Sequence, residues 1–163
     1  MDRKKFITTS SLTIGGFLIT ANQSYSQLQE EQYDQKVVKA FVGAGHNNLD
    51  KVKEILSEYP NIVNAAYDWK NGDFETAVGG AGHVGNREVA EYLISQGARI
   101  NLFTLTMLGK NELVKEFIEE FPALLRAKGP HGFSMLHHAK VGKNEELMEF
   151  FQAQGLKKMK FSL

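Results

Sequence analysis

The sequence predicts an all-α fold in which helix–turn–helix units stack in a row as a solenoid. Two observations lead to this prediction: four amphipathic segments share one pattern, and they come in two alternating kinds. The segment that begins at Asp50 aligns without a gap with the one that begins at Glu112, and the segments that begin at Glu88 and Glu146 align in the same way. Self-similarity of this kind is typical of repeat proteins, in which each unit packs against its neighbours.

Each of the four segments predicts an amphipathic helix. Its apolar residues recur at positions i, i+3 and i+4, which places them on one face of a helix. Acidic residues open the segments, where the helix dipole favours negative charge. The apolar positions are Val52, Ile55 and Leu56; Val89, Tyr92 and Leu93; Val114, Phe117 and Ile118; and Leu147, Phe150 and Phe151.

The ends of these helices also follow two patterns. Gly97 and Gly155 stand where a helix requires a left-handed C-terminal residue. Pro60 and Pro122 end the other two helices, because proline disfavours helical geometry in the residue before it. A shorter helix is predicted before each longer one, over residues 37–44, 76–82, 103–108 and 134–140.

Three stretches of the chain resemble the ankyrin-repeat family. Residues 134–139 (Ser-Met-Leu-His-His-Ala) are similar to the ankyrin pattern T-P-L-H-x-A, residues 85–89 to the start of the second ankyrin helix, and residues 93–101 to its end. The resemblance covers about residues 34–157 and four repeats, the terminal ones degenerate. Two departures stand out: Ala77-Val78-Gly79 replaces P-L-H, and no β-hairpin finger fits between Asn101 and Phe103.

The resemblance implies an ankyrin-type solenoid with short β-hairpin-like fingers that acts as a non-catalytic protein–protein interaction module. In that family the finger tips and first helices form the face that binds a protein partner. The loop before the second repeat carries the chain's one tryptophan, Trp69, which either binds a partner or packs on the repeat below. The residues predicted to bind a partner are Asp68, Trp69, Lys70, Asp73, Phe74, His131 and Phe133.

A glycine motif, Gly80-Ala81-Gly82-His83-Val84-Gly85, matches the dinucleotide fingerprint G-x-G-x-x-G. The fingerprint needs a buried strand before it and an acidic residue about 20 positions later. No carboxylate lies between Glu91 and Glu112, and only two or three apolar residues precede the motif. We therefore interpret these glycines as sites of close helix packing, with Gly85 at positive φ.

The sequence predicts no catalytic residue, no cofactor and no metal. There is no cysteine and no G-x-S-x-G nucleophile motif. A metal site from His83, His137 or His138 would lack a ligand spacing such as H-E-x-x-H. The resemblance implies a bracing role for His137. The alternative hypothesis is a small-ligand binder or enzyme with a pocket around Asp73, Glu75, His83 and Trp69.

Residues 1–26 are predicted to be a cleaved signal peptide, which leaves residues 27–163 as the repeat domain in the periplasm or outside the cell. Basic residues 3–5 precede a charge-free stretch, and small residues stand at a cleavage site before Gln27. The apolar part is shorter than the about 20 residues of a membrane span. The remaining chain has 16 basic and 18 acidic residues, a net charge of −2, which disfavours nucleic acid. Phe161 and Leu163 could support a homodimer.

Overall fold

The computed structural model describes residues 32–163, and this part of the chain is mostly helical, as the sequence predicts. The predicted signal peptide lies outside the described residues. Between residues 32 and 163, no helix has both the length and the apolar character of a membrane span. The elements, in chain order, are α1 (Gln35–Ala44), α2 (Leu49–Glu58), β1 (Ala66–Asp68), β2 (Phe74–Thr76), α3 (Ala77–Val84), α4 (Arg87–Ser95), α5 (Leu102–Met107), α6 (Asn111–Glu120), α7 (Met135–Val141) and α8 (Glu145–Ala153).

Polar side chains fix where most of these helices begin. A side-chain oxygen of the residue before the helix accepts a hydrogen bond from a backbone amide in the first turn, which would otherwise have no partner. The capping residues are Asp34, Asn48, Thr76, Asn86, Asn101, Ser134 and Asn144. The predicted helix ends are also confirmed: Gly97 and Gly155 have φ of +89° and +86°.

The helices contact one another in pairs and in a row. Within the pairs, α1 packs on α2, α3 on α4, α5 on α6 and α7 on α8; the first helices of successive pairs also pack on one another. In addition, α3 contacts α7, two pairs further along, which strict nearest-neighbour stacking does not predict. The reason is that α5 has only six residues, a length of about 9 Å, so it does not separate α3 from α7 completely.

Most residues of the apolar stripes are buried, Tyr92 and Phe150 are half-buried, and α6 departs furthest from the pattern. Val114 and Ile118 are buried, whereas Phe117 is 41% exposed. Helix α6 packs on α5, the shortest of the eight described helices, and on the 3-10 turn Pro122–Arg126. The sequence periodicity shows which side chains share one face of a helix, but it does not show how much of that face a neighbouring element covers.

A β-hairpin projects between the first and second helix pairs. Strands β1 and β2 are antiparallel, and Tyr67 is paired with Glu75. The hairpin turns at Asn71 and Gly72, both with positive φ, as the tight turns of twisted hairpins require. No such finger precedes α5, which begins directly after its cap Asn101, as the sequence predicts.

The glycines of α3 lie against neighbouring elements, which confirms the packing interpretation. A Cβ atom on Gly82 would lie 2.7 Å from the Thr104 hydroxyl oxygen, and one on Gly80 would lie 3.0 Å from the His46 ring. Gly85 has φ of +79°. The strand before the motif, β2, belongs to a two-stranded antiparallel hairpin and not to the parallel sheet of a dinucleotide fold.

The last residues of the chain pair with the loop before α7. The Phe161 amide donates to the Gly132 carbonyl at 2.8 Å, and Phe133 forms an isolated antiparallel bridge with Lys160. Gly132 has no side chain where the Phe161 carbonyl approaches. This C-terminal tail, residues 158–163, therefore holds the loop that carries His131.

Candidate metal centre

Three histidines and one glutamate converge at one point of the described structure. His46 lies just after α1, Glu75 in β2, His83 near the end of α3, and His131 in the 3-10 turn Pro130–Gly132 before α7. One nitrogen or oxygen atom from each of them lies within 4.8 Å of the other three. We call these four residues the histidine–glutamate cluster.

The distances within the cluster are short. The Nε2 atoms of His46 and His83 lie 3.0 Å apart, and His83 Nε2 lies 2.9 Å from Glu75 Oε1. Glu75 Oε2 lies 3.5 Å from His46 Nε2 and 3.6 Å from His131 Nε2. Ligands at about 2.0–2.1 Å from one Zn²⁺ ion in tetrahedral geometry are themselves about 3.3 Å apart. Small side-chain movements would therefore bring the four atoms onto one ion.

The glutamate is the most unusual member because it is buried. Glu75 is 1% exposed. Its Oε2 accepts a hydrogen bond of 2.7 Å from the indole N–H of Trp69. Its Oε1 accepts none, because His83 Nε2 approaches it within 2.9 Å but without hydrogen-bond geometry. A buried carboxylate oxygen without a partner is costly unless a cation or a proton stabilises it.

Hydrogen bonds outside the cluster orient two of its imidazole rings. His46 Nδ1 lies 3.2 Å and 3.1 Å from the carbonyl oxygens of Val42 and Gly43. Carbonyls only accept, so Nδ1 carries the hydrogen and Nε2 of the neutral ring presents a lone pair to the cluster. That lone pair faces His83 Nε2 at 3.0 Å, and such a close approach requires a proton or a cation between the two nitrogens.

Asp73 orients His131 in the same way. Its Oδ2 accepts from His131 Nδ1 at 2.7 Å, and its Oδ1 accepts from the His131 backbone amide at 2.8 Å. His131 has φ of +56°, an uncommon conformation for a residue with a side chain. The carboxylate leaves His131 Nε2 free toward Glu75, which is the outer-sphere arrangement usual for metal-binding histidines.

The surroundings of His83 come from α7 and the loop before it. The His83 ring stacks on Phe133 with ring centres 5.2 Å apart, and Phe133 stacks on His137 at 4.0 Å. His137 Nε2 donates to the His83 carbonyl at 2.8 Å, and this contact joins α7 to α3, which belong to helix pairs four and two and not to adjacent pairs. Burial is the main cause that lowers the pKa of His137, so its ring is a neutral donor. The contact fixes the end of α3 where His83 lies.

The residues predicted to bind a partner divide into two groups. Trp69, Asp73 and His131 lie in or around the cluster, with Phe133 stacked beside it. Lys70 and Phe74 are exposed, and Phe74 is 64% exposed. The Asp68 carboxylate accepts from the Gly72 amide, which stabilises the hairpin turn.

The structure also brings together the four residues of the alternative hypothesis, Asp73, Glu75, His83 and Trp69. Sequence reasoning predicted His131 only as a partner-binding residue and did not predict His46 as a site residue, so it connected neither of them with this pocket. They are 85 positions apart, so no local spacing connects them. The equivalent places of His46 and His83 at the ends of first helices were the one available signal. His138 is not a member, and its buried position lowers its pKa to about 4.

No protein-family model matches the sequence, and no curated protein matches it. The geometry of the cluster is therefore the observation on which a functional proposal depends. It combines a buried carboxylate, convergent imidazole nitrogens and an outer sphere that orients them.

Proposed function

We propose that this protein binds one transition-metal ion, preferably Zn²⁺, at the histidine–glutamate cluster. The observation that carries the proposal is the convergence of three imidazole Nε2 atoms on a buried carboxylate. Imidazole and carboxylate are ligands that Zn²⁺ prefers in proteins that offer no thiolate. The metal ion would take the place of the proton between the Nε2 atoms of His46 and His83, which lie 3.0 Å apart.

The charges of the site support a divalent cation. Glu75 is buried, and the Asp73 side chain is only 8% exposed. Two carboxylates in a low-dielectric environment repel each other unless positive charge lies between or beside them. A divalent ion next to Glu75, with Asp73 hydrogen-bonded to the ligand His131, would supply that charge.

Four protein ligands favour binding over catalysis. Zinc sites with a structural role are closed by four protein side chains, whereas catalytic sites keep a position for water or substrate. The cluster offers four such side chains. The proposed role is therefore a metal-binding, non-enzymatic one, in which the ion joins the first, second and fourth helix pairs.

The test is a zinc titration of the full chain after treatment with a chelator. We expect one Zn²⁺ per chain for the wild type and loss of stoichiometric binding for His83→Gln. His138→Gln is the matched control because it removes a buried histidine outside the cluster and should leave binding intact. Equal zinc binding by His83→Gln and the wild type, measured by calorimetry with metal analysis, would contradict the proposal.

Metal removal should also lower the melting temperature. A ligand present at 100 times its dissociation constant stabilises the folded state by about 2.7 kcal/mol. For a chain of 163 residues, that corresponds to a shift of about 5–10 °C. Calorimetric scans with zinc and with EDTA measure it, and identical melting temperatures would argue against binding to the folded state.

The proposed scaffold is an ankyrin-type solenoid of four helix pairs. Pairwise packing, the row of first helices and the hairpin between pairs one and two support it. An experimental structure with α1 packed against α7 would contradict a linear stack. The proposed location is the cell envelope, and mass measurement of the chain from fractionated cells tests whether it begins at Gln27.

A second candidate function is binding of a protein partner, as the resemblance implies. The observation that favours it is a groove of about 420 Å³ whose apolar walls include Phe74, Phe103, Pro130 and Leu163. The groove lies beside the start of α5, the helix that no β-hairpin finger precedes. Phe74 projects to the opposite side of β2 from Glu75, so the groove opens away from the buried carboxylate, although Asp73, which orients His131, is part of its lining.

Comparative affinity capture tests this second function. Wild type, Phe74→Ser and Phe121→Ser serve as baits in the same envelope extract. Phe121 is 53% exposed and lies outside the groove, so its variant controls for the loss of an exposed aromatic ring. A protein lost only with Phe74→Ser supports the groove; the same set of proteins with all three baits counts against it.

A further inference from the structure

We infer that Trp69 is a positioning residue that limits Glu75 to one-oxygen coordination and so makes the metal site four-coordinate and selective for Zn²⁺. The inference rests on the proposed function. It starts from the fact that the two carboxylate oxygens of Glu75 have different surroundings. Oε2 accepts from the Trp69 indole at 2.7 Å, whereas Oε1 accepts no hydrogen bond.

The chemistry of the indole makes this difference persistent. The indole nitrogen carries a hydrogen and only donates, so Trp69 cannot itself bind the metal. A hydrogen bond to a buried carboxylate is charge-assisted and among the stronger ones. While it persists, one lone pair of Oε2 is bound to Trp69, although Oε2 also lies 3.5 Å and 3.6 Å from the Nε2 atoms of His46 and His131. Oε1, 2.9 Å from His83 Nε2, is the oxygen with no hydrogen bond and is the one left for the metal.

The position of Trp69 is fixed from several sides. Its amide donates to the Asp73 carbonyl at 3.1 Å, across the same hairpin that carries Glu75. Its ring packs edge-on against Tyr67 with centres 5.0 Å apart, and the His46 and His131 rings lie 6.4 Å and 6.1 Å away. The indole therefore contacts the glutamate ligand and lies beside two of the histidine ligands.

The coordination number decides which ion is preferred. Three imidazole nitrogens and one carboxylate oxygen form the four-ligand set of a tetrahedral Zn²⁺ or Co²⁺ site. If both oxygens of Glu75 bound the ion, the set would have five ligands and would better suit ions that accept more ligands, such as Mn²⁺. The indole hydrogen bond occupies one lone pair of Oε2 and so opposes this second arrangement.

Trp69→Phe tests the inference because it removes the N–H donor and keeps an aromatic ring. We expect Zn²⁺ affinity to fall about 10–100-fold, the usual effect of an outer-sphere change. The preference for Zn²⁺ over Mn²⁺ should fall as well. Bound Co²⁺ should lose part of the strong visible absorption of four-coordinate Co²⁺. Tyr67→Phe, which changes the neighbouring aromatic residue of the hairpin, should leave all three readouts unchanged.

The outcomes separate this inference from the proposed function. If wild-type protein binds neither Zn²⁺ nor Co²⁺, the proposed function is wrong. If wild type and Trp69→Phe bind both ions with equal affinity and the same Co²⁺ spectrum, only the role of Trp69 is wrong. A spectrum that changes in Trp69→Phe but not in Tyr67→Phe supports the inference.

A second measurement needs no variant. The chain has one tryptophan, so its indole N–H gives a single signal in a nitrogen–proton correlation spectrum of the wild type. In the zinc-loaded protein we expect this proton to exchange slowly with water, because it stays bonded to Oε2. Fast exchange after zinc is added would show that the bond breaks and would overturn the inference.

Discussion

The histidine–glutamate cluster and the pair His137–His138 differ in what faces their ring nitrogens. In the cluster, imidazole nitrogens face a buried carboxylate. His138 instead has Nδ1 on the Ser134 carbonyl at 2.8 Å, the Phe103 ring at 5.1 Å, and an Nε2 with no hydrogen bond. Burial lowers the pKa of His138 to about 4, so it is a neutral part of the core.

This comparison shows that burial alone does not make a histidine a ligand. His83 and His138 are both buried, but only His83 approaches a carboxylate that lacks a hydrogen bond on one oxygen. A metal ion needs several convergent lone pairs together with negative charge. Three substitutions test this difference, beginning with the largest expected effect.

The first substitution is Glu75→Gln, which keeps the shape of the side chain and an oxygen for Trp69 but removes the negative charge. We expect Zn²⁺ affinity to fall at least about 1,000-fold, more than the 10–100-fold of an outer-sphere change, since a ligand itself is lost. A zinc titration against a competing chelator measures this. His138→Gln should bind like the wild type, and a similar loss in both variants would remove the distinction between the two regions.

The second is His138→Gln, compared with the wild type by denaturant unfolding of the metal-free proteins between pH 7.5 and 4. The folded-state pKa of His138 is about 4, below its ordinary value of about 6.5. The unfolded chain therefore binds more protons in this window, and stability falls as the pH falls from about 6.5 to 4.

The contribution of His138 to this loss is about 3 kcal/mol, from the pKa difference. Above pH 6.5 this contribution to the free energy of unfolding is complete, and it decreases progressively as the pH falls toward 4. The curve of His138→Gln should be flatter by that amount. Parallel curves for the two proteins would show that His138 does not titrate differently in the folded and unfolded states.

The third is Gly80→Ala. A Cβ atom there would lie 3.0 Å from the His46 ring, so the ring must shift by a few tenths of an ångström. We expect about 10-fold weaker Zn²⁺ binding, comparable with the loss of an outer-sphere contact. Gly43→Ala is the control, because a Cβ on Gly43 meets nothing within 4 Å. Equal affinity of the two variants would mean that His46 has room to move.

Local sequence signals predict the helices of this protein well. The apolar spacing of Val89 and Leu93 and the C-terminal Gly97 are properties of adjacent residues, and α4 follows them. The glycines of α3 were interpreted correctly because close packing between helices requires small residues, which are visible in the sequence. The exposure of Phe117 could not be predicted, since the periodicity of a segment does not show which of its residues a neighbouring element covers.

The candidate site was predictable only in part. Trp69, Asp73 and Glu75 lie in one hairpin, so their proximity follows from its register. His46 and His131 join them only through the packing of α1 against α3 and through the pairing of the loop before α7 with the C-terminal tail. No spacing rule predicts contacts between residues so far apart in the sequence, because the distance along the chain does not determine the distance in space.

The pairing of the tail with the loop before α7 has a consequence for how the protein matures. A ribosome makes His46, Glu75 and His83 before His131, and it makes the residues that pair with the His131 loop, Met159 to Phe161, later still. A cation that requires all four ligands would therefore bind only after residues 159–161 have been made and have paired with that loop. Its uptake would follow this pairing, and the ion would come from the compartment in which folding ends.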